Sequence, residues 1–336
     1  MYNWKWYLSE LKQDKDVTVF SCFSCGGGST MGYKRAGFKV LGNVEIDPKI
    51  NSMYVKNNHP KYNFCMDLRD FNKKEDLPDE LYHLDILDGS PPCTVFSTAG
   101  QREKTWGKLK VFREGQKKQT LDDLFFVFLD TVEKLKPKIV IAENVTGLIK
   151  GNAKGYVNQI IKRFREIGYD VQLFKLNAAT MDVPQARERI FFVANNQGYT
   201  KLKLNFNGKP IKFGEVRTKH GKPIGDGKFK ERLKHLLPSD KDMAAILERT
   251  ENKRSNFGVK IFQDHFTPYT IVSGSCFIRA CDKSYCSDGD YINVSSFPQD
   301  YDFCGNNVQY VCGMSVPPNM MANIAMEIYK QWILKH

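Results

Sequence analysis

The chain has 336 residues, 41% of them hydrophobic and 26% charged, a globular composition that excludes both a peptide-sized scaffold and a disordered chain. Its 50 Lys and Arg against 38 Asp and Glu leave a formal charge of +12, which favours a polyanionic partner such as nucleic acid over a merely basic soluble protein. The excess is local: residues 195–262 hold 16 Lys and Arg against 7 Asp and Glu, a net +9, and the rest of the chain holds 34 against 31. No basic flank and apolar core opens the sequence and no run of ~18 apolar residues interrupts it, which disfavours secretion and membrane spanning. Nine scattered cysteines, an odd number, fit a reduced cytosolic state.

Residues 17–23 are rich in β-branched and aromatic side chains, run into Cys25-Gly26-Gly27-Gly28, and precede a helix-compatible stretch that ends at Ala36-Gly37. This predicts strand, tight loop and helix. A second strand over 38–44 places Glu45 at its end, seventeen positions beyond Gly28, the half-Rossmann spacing that binds an adenosine ribose. The loop itself misses the dinucleotide pattern, because G-x-G-x-x-G from Gly26 would need glycine at Met31, and it lacks a P-loop ending. It suits an adenosine without a pyrophosphate, or only a turn that packs strand on helix.

Further strands are predicted over 84–87, 139–142, 171–176 and 190–194, the first two almost wholly apolar, as interior strands of a doubly covered parallel sheet are. Thr120 with Asp123 resembles a capping box for a helix over 121–135, which Pro137 stops. Residues 1–195 therefore read as one doubly wound α/β unit. A basic region punctuated by Gly and Pro follows, and Pro317-Pro318 then opens a helix over 319–334 with Met320, Ile324, Ile328 and Trp332 spaced by four.

Three segments carry candidate chemistry. Asp88 to Ser97, containing Pro91-Pro92-Cys93, begins where a buried strand ends, the place open α/β sheets put their active sites. Two prolines stiffen the approach to Cys93, which is either a nucleophile or a buried packing thiol. Ala142-Glu143-Asn144-Val145 ends another apolar strand, and a carboxyl there can protonate a ring nitrogen or simply pair with a base. In Gln185-Ala186-Arg187-Glu188-Arg189, alternation predicts that Gln185, Arg187 and Arg189 share a face, suited to a phosphate and a base carbonyl, or to an ion-pair ladder with Glu143 or Glu188. Cys276, Cys281 and Cys286 recur at intervals too long for a zinc knuckle, so no metal is expected.

The order of these motifs, closing with Gly313-Met314-Ser315-Val316-Pro317-Pro318, resembles the cytosine-5 DNA methyltransferase family along nearly the whole chain. The resemblance implies a Rossmann-like, doubly wound mixed sheet of class I methyltransferase type, in an α/β catalytic domain of residues 1–195 plus 300–336, with a target-recognition domain inserted at 196–299. It implies S-adenosylmethionine as cofactor, released as S-adenosylhomocysteine. Phe23, Gly26 and Gly28 would form the cofactor loop, Glu45 with Ile46 would hold the ribose, and Asp67 with Leu68 the adenine. Pro91, Pro92, Leu124, Ser315 and Val316 would line the rest.

By the same resemblance Cys93 is the nucleophile, Glu143 the acid at the cytosine ring nitrogen, and Arg189 the partner of the base carbonyl, supported by Arg187 and Gln185. Ser97, Arg102, Lys104 and Gln185 would contact nucleic acid, with the basic segment 98–119 as a lid. The implied protein is a monomeric, sequence-specific enzyme acting on double-stranded DNA, cytoplasmic and nucleoid-associated in a bacterium or phage host, with a cognate restriction endonuclease as partner. The family usually has an acid where Ser21 stands, asparagine at Met314 and glutamine at Thr94. Competing readings are methylation of structured RNA such as transfer RNA, a catalytically silent nucleic-acid binder, and a nicotinamide-dependent oxidoreductase, which has no use for Pro-Pro-Cys.

Overall fold

The computed structural model describes residues 2–92, 123–150, 154–253 and 258–335. The chain divides into two compact units, the first made of Leu11–Leu176, Glu188–Asn205 and Met321–His336, the second of Met1–Glu10, Asn177–Arg187 and Phe206–Met320.

In the first unit β1 (Thr18–Cys22), α1 (Gly28–Arg35), β2 (Lys39–Val44), α2 (Pro48–Asn58), β3 (Tyr62–Phe64), α3 (Leu68–Lys73) and β4 (Ile86–Gly89) come first. They are followed by α4 (Leu124–Leu135), β5 (Ile139–Val145), α5 (Lys154–Glu166), β6 (Asp170–Asn177) and β7 (Glu188–Asn195). The described strands form a seven-stranded sheet in the order β3-β2-β1-β4-β5-β7-β6. All four residues of β4 are buried, as are Val19 to Cys22 of β1, which is why these strands show no polar alternation. From the adjacent centre strands β1 and β4 the chain winds outward in opposite directions, and that reversal opens a crevice at their carboxyl ends.

The sheet is mixed. β7 runs antiparallel to β5, from Ile139 opposite Asn195 to Val145 opposite Arg189. On one face Phe125 of α4 and Phe164 of α5 pack on Phe192 of β7, at ring separations of 5.1 and 6.4 Å. α4 starts at Leu124 after Asp123, whose side chain makes no capping bond, so its described start is three residues later than the capping-box reading. It ends where Lys136 turns left-handed (φ 49°) ahead of Pro137.

The second unit holds α6 (Phe213–Val216), α7 (Lys228–Leu233), α8 (Met243–Glu251), β8 (Lys260–Phe262), β9 (Phe277–Arg279), β10 (Ser284–Tyr285), α9 (Asp288–Val294) and α10 (Val308–Met314). Its small sheet is ordered β10-β9-β8, and Ile224, Leu233, Met243, Ile246, Ile261 and Ile278 make an apolar cluster. The start of the chain packs here: the Trp6 indole donates to the Ser296 carbonyl (2.9 Å), and Leu8 and Ser9 donate backbone N–H groups to Asp300. Inside the unit Arg279 and Asp290 form a fully buried ion pair at 3.2 Å.

The last helix, α11 (Pro318–Gln331), returns to the first unit from Met321 onward, burying Met321, Ile324, Ile328 and, just beyond it, Trp332, whose indole donates to the Thr200 carbonyl (2.8 Å). Among the described residues no helix is long and apolar enough to cross a membrane.

Candidate active site

The glycine loop follows β1 and turns sharply: Phe23 (φ 54°), Cys25 (φ 46°) and Gly27 (φ 77°) are all left-handed. Gly27 caps α1, and a Cβ there would lie 2.5 Å from Asn58 Nδ2, so only glycine fits. Gly28 begins α1, whose first-turn N–H groups present partial positive charge to whatever the loop holds. At the end of β2 the buried Glu45 accepts from Cys25 N–H (2.9 Å) through one oxygen and from Asp47 N–H (3.0 Å) through the other, with Ile46 N–H as a further donor. Burial pushes the Glu45 carboxyl up and these donors pull it back. A carboxylate has about four acceptor sites, so one that already accepts three N–H groups keeps about one for a ribose hydroxyl.

Asp67 caps α3, accepting from Arg69 N–H (2.8 Å), and the Arg69 guanidinium bridges it to Asp123 (2.6 Å). Leu68 and Leu124 are buried at the starts of α3 and α4. Pro91 is buried and Pro92 half-buried beyond β4, and the Asn144 amide donates to the Pro91 carbonyl (3.1 Å), pinning that stem to the end of β5. Ser315 and Val316 are buried in the second unit, and Ser315 N–H closes α10 on the Val311 carbonyl.

Glu143 and Arg189 meet because β7 is antiparallel. Glu143 lies opposite Phe191, so Arg189, two residues earlier, is its diagonal neighbour on the same face. Arg189 Nε is 2.9 Å from Glu143 Oε1, with both side chains nearly buried (15% and 11% exposed). Burial pulls the Arg189 guanidinium below its ordinary value and the Glu143 charge opposes this. Glu188 pairs instead with Lys175 (2.9 Å).

The common face expected for Gln185, Arg187 and Arg189 does not form, because β7 begins only at Glu188 and the preceding residues turn, with Gln185 N–H on the Val183 carbonyl and Arg187 N–H on that of Gln185. Gln185 and Arg187 belong to the second unit and are buried there. The Gln185 amide donates to the Val294 carbonyl and accepts from Ile271 N–H, while the Arg187 guanidinium donates to the carbonyls of Ile271 and Gly313. Cys93, Thr94, Ser97, Arg102 and Lys104, with the basic segment 98–119, lie outside the described residues.

Three participants were missed in the sequence. Asn144 and Gly27 sat inside recognised motifs without a role. Asp88, buried at the end of β4, accepts from the Ser21 hydroxyl (2.9 Å) and the Tyr33 hydroxyl (3.1 Å). Burial, with the nearby Glu143 charge adding, pushes its carboxyl up to about 7 against the pull of those hydroxyls.

A doubly wound mixed sheet with β7 antiparallel to β5, a glycine loop after β1 and an acid after β2 defines the class I methyltransferase fold. Among solved structures, a DNA modification methyltransferase encoded within an E. coli prophage shares it, with a TM-score of 0.67 at 19% identity over 96% of this chain and 100% of that one. The chain belongs to the C-5 cytosine-specific DNA methylase family, whose model matches residues 17–271. It is 34% identical over 197 residues to the Type II methyltransferase M.Sau96I of Staphylococcus aureus, a match spanning 58% of this chain but only 42% of that protein. To the Type II methyltransferase M1.HphI of Haemophilus parahaemolyticus it is 27% identical over 364 residues, 98% of this chain and 91% of the relative.

Proposed function

We propose that the chain methylates C5 of a cytosine flipped out of double-stranded DNA, in a sequence-specific manner. The observation that carries this is the Glu143–Arg189 pair, held at the end of β5 beside the Pro91-Pro92 stem that leads to Cys93. S-adenosylmethionine, bound by Phe23, Gly26, Gly28, Glu45, Ile46, Asp67 and Leu68, supplies a methyl on a sulfonium and leaves as S-adenosylhomocysteine. Pro91, Pro92 and Leu124 complete that pocket in this reading, and the resemblance assigns Ser315 and Val316 to the same cofactor.

Cytosine C5 is a poor nucleophile. Addition of the Cys93 thiolate to C6 makes the ring an enamine with electron density at C5, and a proton held by Glu143 at N3 stabilises that adduct. Arg189 orients the base through its carbonyl while keeping Glu143 in place. C5 then forms a bond to the methyl as the sulfonium S–CH3 bond breaks, and loss of the C5 proton to solvent breaks the S–C6 bond and releases the Cys93 thiolate. The base must leave the duplex to reach these groups, at a cost of a few kcal/mol.

Functionally, residues 1–195 with 300–336 carry the chemistry and 196–299 read the site, with Ser97, Arg102, Lys104 and the 98–119 segment on the DNA backbone. For Gln185 and Arg187, whose polar groups are engaged within the second unit, the role is support. The enzyme acts as a monomer in the cytoplasm of a bacterium or phage host, alongside a cognate restriction endonuclease. Transfer of labelled methyl groups to matched duplex DNA and transfer RNA, with bisulfite sequencing of DNA from expressing cells, tests the reading. Labelling of RNA alone would overturn the substrate, and labelling by purified Cys93→Ser equal to that of the unaltered chain would overturn the nucleophile.

A further inference from the structure

The chemistry above leaves the buried acid at the end of β4 unused. Asp88 sits in β4 five residues ahead of Cys93, and its carboxyl reaches both ends of the glycine loop. Ser21, which donates to it, lies in β1 just before the loop, and the register sets the two residues side by side on adjacent parallel strands. Ser29, a further donor, lies in the first turn of α1 just after the loop, and Tyr33 one turn beyond. A loop with three left-handed residues is costly to order, and a clamp on both its ends reduces the freedom it must lose. Burying a carboxyl is itself unfavourable, and well-packed apolar groups in its place would often be at least as stable. Bulk stability therefore does not account for an acid here.

We propose that Asp88 is the positioning residue of the cofactor loop, holding residues 23–28 in their binding conformation through Ser21, Ser29 and Tyr33. Ser21 stands where the family usually has an acid, and the facing register sets the Asp88 carboxyl beside that position from the neighbouring strand. The inference rests on the reading of this loop as the S-adenosylmethionine site.

The test compares the unaltered full chain with Asp88→Ser and with the exchange variant Ser21→Asp/Asp88→Ser. In the ligand-free proteins, amide hydrogen exchange over residues 24–31 is expected to quicken about tenfold in Asp88→Ser, the size of one hydrogen bond to a charged group, and to slow again in the exchange variant. The KM for S-adenosylmethionine should rise by about the same factor and recover likewise, with kcat and DNA affinity held. Wild-type exchange and KM in Asp88→Ser would overturn the proposal, as would an exchange variant no better than the single one. If Asp88→Ser fails to fold, recovery of folding and cofactor affinity in the exchange variant supports the proposal and its absence overturns it. If the unaltered chain binds no S-adenosylhomocysteine, the cofactor reading fails, and hydrogen exchange alone still decides whether Asp88 orders the loop.

Discussion

Replacing Asp88 with asparagine isolates the energetics of its buried carboxyl. The group is pushed from an ordinary 3.8 to about 7, by burial first and by the Glu143 charge, against hydroxyl donors that favour ionisation. Between those values the folded chain holds a proton that the unfolded chain releases. The stabilisation linked to this group is therefore complete below an ordinary carboxylate value and is lost as pH rises through about 7. At 1.36 kcal/mol per pH unit, the span amounts to about 4 kcal/mol in all, of which about 3 kcal/mol falls between about pH 4.5 and about pH 7.5. Asparagine keeps the shape, cannot ionise, and can accept from one hydroxyl while donating to the other. Urea unfolding of the two proteins across this range reads the effect, because the other titrating groups are common to both and cancel in the difference. The stability of Asp88→Asn relative to the unaltered chain should rise by about 3 kcal/mol from the acid to the alkaline end. A difference that stays flat would refute the assignment of a raised carboxyl.

Glu143→Gln removes the acid while leaving Arg189 in place; single-turnover methyl transfer should slow about a hundredfold or more, with S-adenosylmethionine binding unchanged by calorimetry. Gly27→Ala forces a side chain into a left-handed position already filled by Asn58, so the melting temperature should fall by the equivalent of at least about 1–2 kcal/mol and cofactor-induced stabilisation should shrink. Asp290→Ala leaves the buried Arg279 with only the part-exposed Asp282 (3.1 Å) as charge partner, which should cost about 3 kcal/mol in urea unfolding, whereas a loss under about 1 kcal/mol would mean that Asp282 or water compensates the guanidinium.

The placing of the candidate acids at strand ends was largely legible in the sequence, because strands leave a visible local pattern there. Glu143 follows the apolar run 139–142, Glu45 follows the mixed strand Lys39–Val44, and the left-handed turn at Gly27 falls within a glycine cluster. Less legible was everything that depends on which strands become neighbours. The expectation that Gln185, Arg187 and Arg189 share a face assumed an extended segment, but the chain turns before Glu188 and spends Gln185 and Arg187 on backbone carbonyls of the second unit. β3, with three residues and no buried side chain, carried too little pattern to be read at all.

By itself the sequence determined the family, the alternation of strands and helices, and the positions along the chain of the acids, glycines and prolines, because these follow from local pattern and spacing. Only the tertiary structure decided that β7 enters antiparallel beside β5, bringing Arg189 within 2.9 Å of Glu143, and that Ser21 faces Asp88 across β1 and β4. Those juxtapositions join residues 46 and 67 positions apart, and the raised carboxyl of Asp88 follows from the burial they create. Long-range register and desolvation are properties of the packed sheet, to which no single stretch of residues commits the chain in advance.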